Sequence, residues 1–154
     1  MSLVQTIKLE LVAAQKARLA VKVETLKMLN AAWQNKQIAA RKTAADATKE
    51  LTDTEALAVL RTEIKKRQEA IEAYTAGGRP ELATKEQQEL EILQQYLPPQ
   101  LTIEQVQQIV LDKIKQTGAA GAKDFGLVMP LVIAEVAGAA EGSLVSKLVK
   151  EALG

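Results

Sequence analysis

Residues 57–97 read LAVLRTEIKKRQEAIEAYTAGGRPELATKEQQELEILQQYL, two helical runs joined by Gly77-Gly78 and followed by Pro98-Pro99. In the first run Leu57, Leu60, Ile64, Ile71 and Tyr74 recur at steps of three, four, seven and three, one stripe of a 3.6-residue helix. The run has a start signal in Thr52-Asp53-Thr54-Glu55, a capping box in which Thr52 and Glu55 satisfy each other's backbone N–H groups. Gly77-Gly78 ends it, since glycine enters the left-handed conformation of a helix C-terminus without a Cβ penalty. The second run opens with Pro80 at a position where no N–H is needed, and turns Leu82, Leu90, Leu93 and Leu97 inward. The two helices are expected to fold back on each other as an antiparallel hairpin.

Working outward, Leu3, Ile7, Leu11 and Ala14 predict a short amphipathic helix that yields near Lys16 to Arg18. Leu19 to Ile38 contains neither Gly nor Pro and fits one long helix or two shorter ones. Residues 41–51 lose the apolar stripe and gather Thr and Asp, which predicts a solvent loop. Pro98-Pro99 is the best domain boundary, because a proline pushes the residue before it out of helical geometry. Beyond it, Thr102 to Gln105 repeats the capping box, and Val106, Ile109, Val110 and Ile114 form a buried stripe that Gly118 closes. A helix from about Gly121 toward Gly138 follows, with Pro130 inside it, and then a last helix with Ser143 as its expected cap. The fold expected is all-α, about seven helices, with an N-terminal helical bundle over 1–97 and a three-helix domain over 98–154.

The composition agrees. The chain has 154 residues, 47% hydrophobic but only 3% aromatic, enough to bury a core through aliphatic helix ridges. Neither a membrane-spanning apolar run nor a signal-peptide core is found in the sequence, and with zero cysteines disulfide scaffolding is excluded. A soluble cytoplasmic protein is the expectation. Net charge is +1, so no global basic field announces a nucleic-acid partner.

The inventory for catalysis is thin. Without His or Cys there is no imidazole base, thiolate nucleophile or His/Cys zinc site. Ser143 and Ser146 stand at a helix start, where capping is the ordinary role, and no Gly-x-Ser-x-Gly elbow exists. Gly121 to Gly126 has phosphate-loop spacing, but Leu127 and Val128 replace the Lys and hydroxyl that such a loop needs. Glu81, Glu86, Glu89 and Glu91 read as a solvated helix face rather than a metal site. No catalytic residue, cofactor or metal is therefore expected.

Binding features are softer. Arg61, Lys65, Lys66 and Arg67 gather four cations within two turns and could neutralise phosphates, or be spent on intrahelical pairs such as Glu63 with Arg67. Lys16, Arg18 and Lys22, with Arg41 and Lys42, form a second cluster of the same kind. Arg79 lies at a helix start beside two glycines, where an anion could dock; the alternative is that it folds over a carboxylate of the neighbouring helix. Trp33 and Tyr74 fall on or beside apolar stripes and read as packing residues rather than base-stacking platforms.

The segments EIKKRQEAIEAY (63–74), GGRPELATKEQQELEILQQYLPPQL (77–101), KDFGLVM (123–129) and the Gly138-x-x-x-Gly142 pair before LVKEAL resemble the GatB/YqeY family of small helical proteins. That family is similar to the tail region of the B subunit of the glutamyl/aspartyl-tRNA amidotransferases, and the resemblance runs over nearly the whole chain from VETLKMLNAAWQNKQIAAR (23–41). It implies a noncatalytic tRNA-binding or delivery accessory, the glutamine-dependent carbon-nitrogen ligation being done elsewhere; the charge cluster and the helix start described above supply Arg61, Lys65, Lys66 and Arg79 as the nucleic-acid-binding candidates. Family tails often carry basic residues after the glycine of KDFG and around the closing glycine pair. Here Leu127, Glu135, Ala137 and Ala139 stand at those positions, so a second expectation is a protein-interaction adaptor acting through the C-terminal domain, without nucleic acid.

Overall fold

A computed structural model describes residues 1–41 and 49–154. Among these residues it is all-α, with helices α1 (Leu3–Lys16), α2 (Ala20–Ala40), α3 (Asp53–Ala76), α4 (Pro80–Gln94), α5 (Ile103–Thr117), α6 (Phe125–Val136) and α7 (Gly142–Leu153) and no strand. The chain divides into two compact units, Met1–Tyr96 and Leu97–Gly154. The solvent loop expected at 41–51 lies largely outside the described residues.

In the first unit the buried side chains come from all four helices: Val4, Ile7 and Ala14 of α1, Leu26, Leu29 and Trp33 of α2, Ala56, Leu60 and Ile64 of α3, Leu90 and Leu93 of α4. Each fully buried leucine contributes about 2 kcal/mol of transfer free energy. Helix α2 is continuous from Ala20 to Ala40, which settles the choice between one helix and two. Trp33 is 3% exposed and its Nε1 donates to the Ala56 carbonyl at 3.0 Å, so the indole is a core residue with its polar edge satisfied. Both predicted boxes form: the Thr52 hydroxyl accepts from the Glu55 N–H at 3.2 Å while Glu55 Oε2 accepts from the Thr52 N–H at 2.9 Å.

Two helix ends in this unit use the same device. At α3, Gly78 is left-handed (φ +72), the Gly78 N–H reaches the Thr75 carbonyl and the Arg79 N–H reaches the Tyr74 carbonyl. At α1 the left-handed residue is Arg18 (φ 57), with the Arg18 and Leu19 N–H groups donating to the Gln15 and Ala14 carbonyls. The second unusual end is thus closed by a residue whose Cβ makes that conformation unfavourable by about 1–2 kcal/mol.

The second unit is built on small branched side chains. Val106 and Val110 of α5, Val128, Val132 and Val136 of α6, and Val145, Leu148 and Val149 of α7 form one cluster, with Leu101 and Phe125 packed against it. The Thr102–Gln105 capping box starts α5, and left-handed Gly118 (φ 70) ends it. A 3-10 turn, Ala122–Asp124, leads into α6 and is held by Asp124 Oδ2, which accepts from the Ala120 N–H at 2.8 Å. Pro130 is the sixth residue of α6, and the helix continues through it to Val136. Ser143 does not cap α7: the helix begins at Gly142 with Glu141 in the cap position, so Ser143 lies inside the first turn. The Leu101 N–H donates to the Ala139 carbonyl at 2.8 Å and ties the start of the unit to the α6–α7 connection.

Candidate functional site

Helix α3 carries three of the four candidate cations, and its geometry sorts them. Arg61 and Lys65 are four residues apart and share one face, Arg61 half-buried and Lys65 exposed. Lys66 stands about 100° further round the helix. Its Nζ lies 3.3 Å from Glu63 Oε1, the lysine side chain being 65% and the glutamate side chain 12% exposed.

Arg79 is not brought to that cluster. It precedes α4 at the hinge, and Lys65 lies eleven residues before the end of α3, about 16 Å along the axis. Its Nε donates to Glu81 Oε1 at 2.8 Å, with both side chains about 60% exposed. The partner is a carboxylate in the first turn of its own helix, not one on the neighbouring helix. That hydrogen bond, joined by one from Glu81's own backbone, holds the Glu81 carboxyl below its usual range. Pro80 has no N–H and the Arg79 N–H is taken by Tyr74, so Glu81 fills the place a phosphate would take, and an anion there must displace it.

Arg67 leaves the cationic patch altogether. It is 4% exposed, and Nη1 donates to Glu63 Oε2 at 2.9 Å and to the Glu63 carbonyl at 3.1 Å. Its Nε lies 3.4 Å from Oε2 of Glu89 on α4, a carboxylate that is itself 5% exposed. Glu89 is therefore a buried residue of the hairpin and not part of a solvated face. Burial raises its pKa, with Arg67 pulling the other way. The signal was present in the spacing: the seven-residue step between Ile64 and Ile71 is filled by position 67, and Glu89 is four residues before Leu93.

The second cationic cluster is partly consumed as well. Lys22 Nζ is 3.0 Å from Glu10 Oε2, and Glu10 also accepts a short hydrogen bond from the Tyr96 hydroxyl, joining α1, α2 and the residues after α4. The Tyr96 hydrogen bond is the main reason the Glu10 carboxyl sits below its usual range. Burial, then the Glu10 contact, push the Tyr96 phenol upward. Lys42 lies outside the described residues.

Among the described residues no three metal-ligating side chains converge, and no helix is long and apolar enough to cross a membrane. Comparison with curated proteins gives no match. A family model described as YqeY-like protein matches residues 4–153. With that match spanning all seven helices, the chain belongs to the YqeY-like protein family.

Proposed function

We propose that this chain is a noncatalytic, tRNA-binding accessory of the cytoplasm, a helical module akin to the tail region of the amidotransferase B subunit. The observation that supports it is the placement of Arg61 and Lys65 one turn apart on one face of α3, within a helix whose sequence carries the family resemblance. Two cations at that spacing match phosphate contacts that position a nucleic acid without reading its sequence. By the family resemblance carbon-nitrogen ligation from glutamine belongs to other domains, and this chain has neither His nor Cys to serve as base or nucleophile. Filter binding of a tRNA transcript across a salt series tests the reading. Micromolar or weaker affinity that falls steeply with salt is expected; no retention at low salt overturns it.

One observation favours a second reading, a protein-interaction adaptor acting through the C-terminal unit. On α6, Leu127 is 53% and Leu131 36% exposed, and Gly126, Pro130 and Ala134 beside them are exposed too, an apolar patch bordered by exposed Glu135 one turn beyond Leu131. Such a face suits an apolar protein surface and offers nothing to phosphate. A partner that stays bound after nuclease treatment supports this reading over the first.

A further inference from the structure

The Arg67 guanidinium is 4% exposed and short of acceptors. Nη1 is satisfied by Glu63, but among the described residues Nε has no hydrogen-bond acceptor and Nη2 has only Met28 Sδ, at 3.8 Å. A thioether sulfur is a weak acceptor, and a buried charged donor that is poorly met is costly. The oxygens of Glu63 are held by Nη1 and by Lys66 Nζ, so they do not compete for Nη2.

Met28 itself stands half in water. It is 50% exposed and lines an open groove of about 670 Å³ between α2 and α3, which a small oxidant can enter. The chain has no cysteine, so its thioethers are the side chains most open to two-electron oxidation. Of the three methionines, Met1 is exposed at the chain start and Met129 is partly buried against the C-terminal core. Met28 is the one whose sulfur meets a buried cation.

We propose that Met28 is a reversible oxidation site, where a hydroperoxide turns the thioether into a sulfoxide whose oxygen accepts from Arg67 Nη2 and clamps α2 to the α3–α4 hairpin. A sulfur lone pair attacks one peroxide oxygen and the O–O bond breaks. The departing oxygen takes the proton of the transferred one and leaves as an alcohol, or as water from hydrogen peroxide. Sulfur is oxidised by two electrons and the peroxide reduced by two. With Nη2 at 3.8 Å from the sulfur, an oxygen bonded to it and turned toward the guanidinium comes within ordinary N–H···O distance. The weak acceptor is thereby replaced by a charge-assisted hydrogen bond. Because Met28 is half exposed, the more polar side chain meets little desolvation cost. Oxidation, which ordinarily loosens a core, tightens this one. A sulfoxide reductase returns the thioether and releases the clamp.

The test is urea unfolding of the full chain in a Met129→Leu background, followed by the fluorescence of Trp33, the single tryptophan, which lies in the core of the N-terminal unit. Hydrogen peroxide should add one oxygen at Met28, located by peptide mass, and raise the midpoint by about 0.5 M. Sulfoxide reductase should reverse the rise, and Met28→Leu should abolish it. Met28→Gln places an amide oxygen near the position of the sulfoxide oxygen, so it should unfold at higher urea than Met28→Leu. That advantage should vanish in Arg67→Met/Glu89→Leu, which has no guanidinium to bind. Three results overturn the proposal: Met28 left unmodified at peroxide levels that fully oxidise Met1, a midpoint unchanged or lowered once Met28 is oxidised, or a glutamine advantage that is absent or survives the loss of Arg67.

Discussion

Arg67 of α3 and Glu89 of α4 meet across the hairpin with Nε 3.4 Å from Oε2, and both are about 95% buried. The guanidinium also holds Glu63 and reaches Met28 Sδ on α2 at 3.8 Å, so one side chain touches three of the four helices of its unit. Its Nε finds no hydrogen-bond acceptor among the described residues, and the contact with Glu89 is an ion pair only. Such a pair specifies how α3 and α4 meet more than it stabilises them.

Arg67→Met should therefore destabilise the chain by about 3 kcal/mol, because Glu89 is left buried without its nearest cation. The Glu89 carboxyl, already raised by burial, rises further, so the variant should lose stability more steeply than the parent as pH climbs above the ordinary carboxylate value of 4.5. Arg67→Met/Glu89→Leu should recover most of the loss, since an apolar pair of similar volume replaces the ions. Urea unfolding of the singles and the double at two pH values checks this; a double no more stable than Arg67→Met would show that the ion pair itself is needed.

The hydrogen bond from Tyr96 to Glu10 should give a stability plateau with two edges. Glu10 is lowered when folded, so its contribution is full above the unfolded value near 4.5 and disappears as pH falls through the folded value. Tyr96 is raised when folded, so its contribution is full below the unfolded value near 10.0 and is lost as pH rises beyond it. Tyr96→Phe should cost about 1 kcal/mol at neutral pH, a half-exposed carboxylate being partly screened, and should flatten both edges. Thermal melts from acid to alkaline pH measure it.

Ala137 has φ 49 at the end of α6, left-handed geometry in a residue with a Cβ and an exposed side chain. Ala137→Gly should stabilise the C-terminal unit by about 0.5–1 kcal/mol, whereas Gly118→Ala, at φ 70, should destabilise it by about 1 kcal/mol. Opposite shifts in melting temperature are the expected reading. Equal shifts would mean that backbone strain is not what these two positions contribute.

For tRNA, Arg61→Ala/Lys65→Ala should weaken retention and flatten the slope of log affinity against log salt by about two units at most, about one for each lost phosphate contact. Lys65→Ala/Lys66→Ala should flatten it by less if Lys66, on another face, makes no contact. Arg79→Ala should change little, since Arg79 stands at the hinge, about 16 Å along the axis from Lys65 and away from the Arg61 and Lys65 face. Unchanged affinity and slope in all three would remove α3 from any RNA surface.

The sequence by itself determined the helices and their ends. Capping boxes, proline at a helix start and glycine beyond a helix end are local chemistry between residues a few positions apart, so Thr52, Pro80, Gly78, Thr102 and Gly118 could be read without knowing what packs against them. Arg18 and Ala137 were not legible in that way, because nothing about their residue types favours the left-handed geometry that the chain reversals impose on them. Tertiary structure alone decided which charges remain surface charges. Arg67 and Glu89 look like any other members of charged helices until α3 lies against α4, and only then does desolvation make one the counter-ion of the other. The same holds for Val21, Met28 and Ile38 of α2: an apolar residue on a helix is bidding for burial in any sequence reading, and only the packing of α1, α3 and α4 on the other side of α2 leaves these three on the outside.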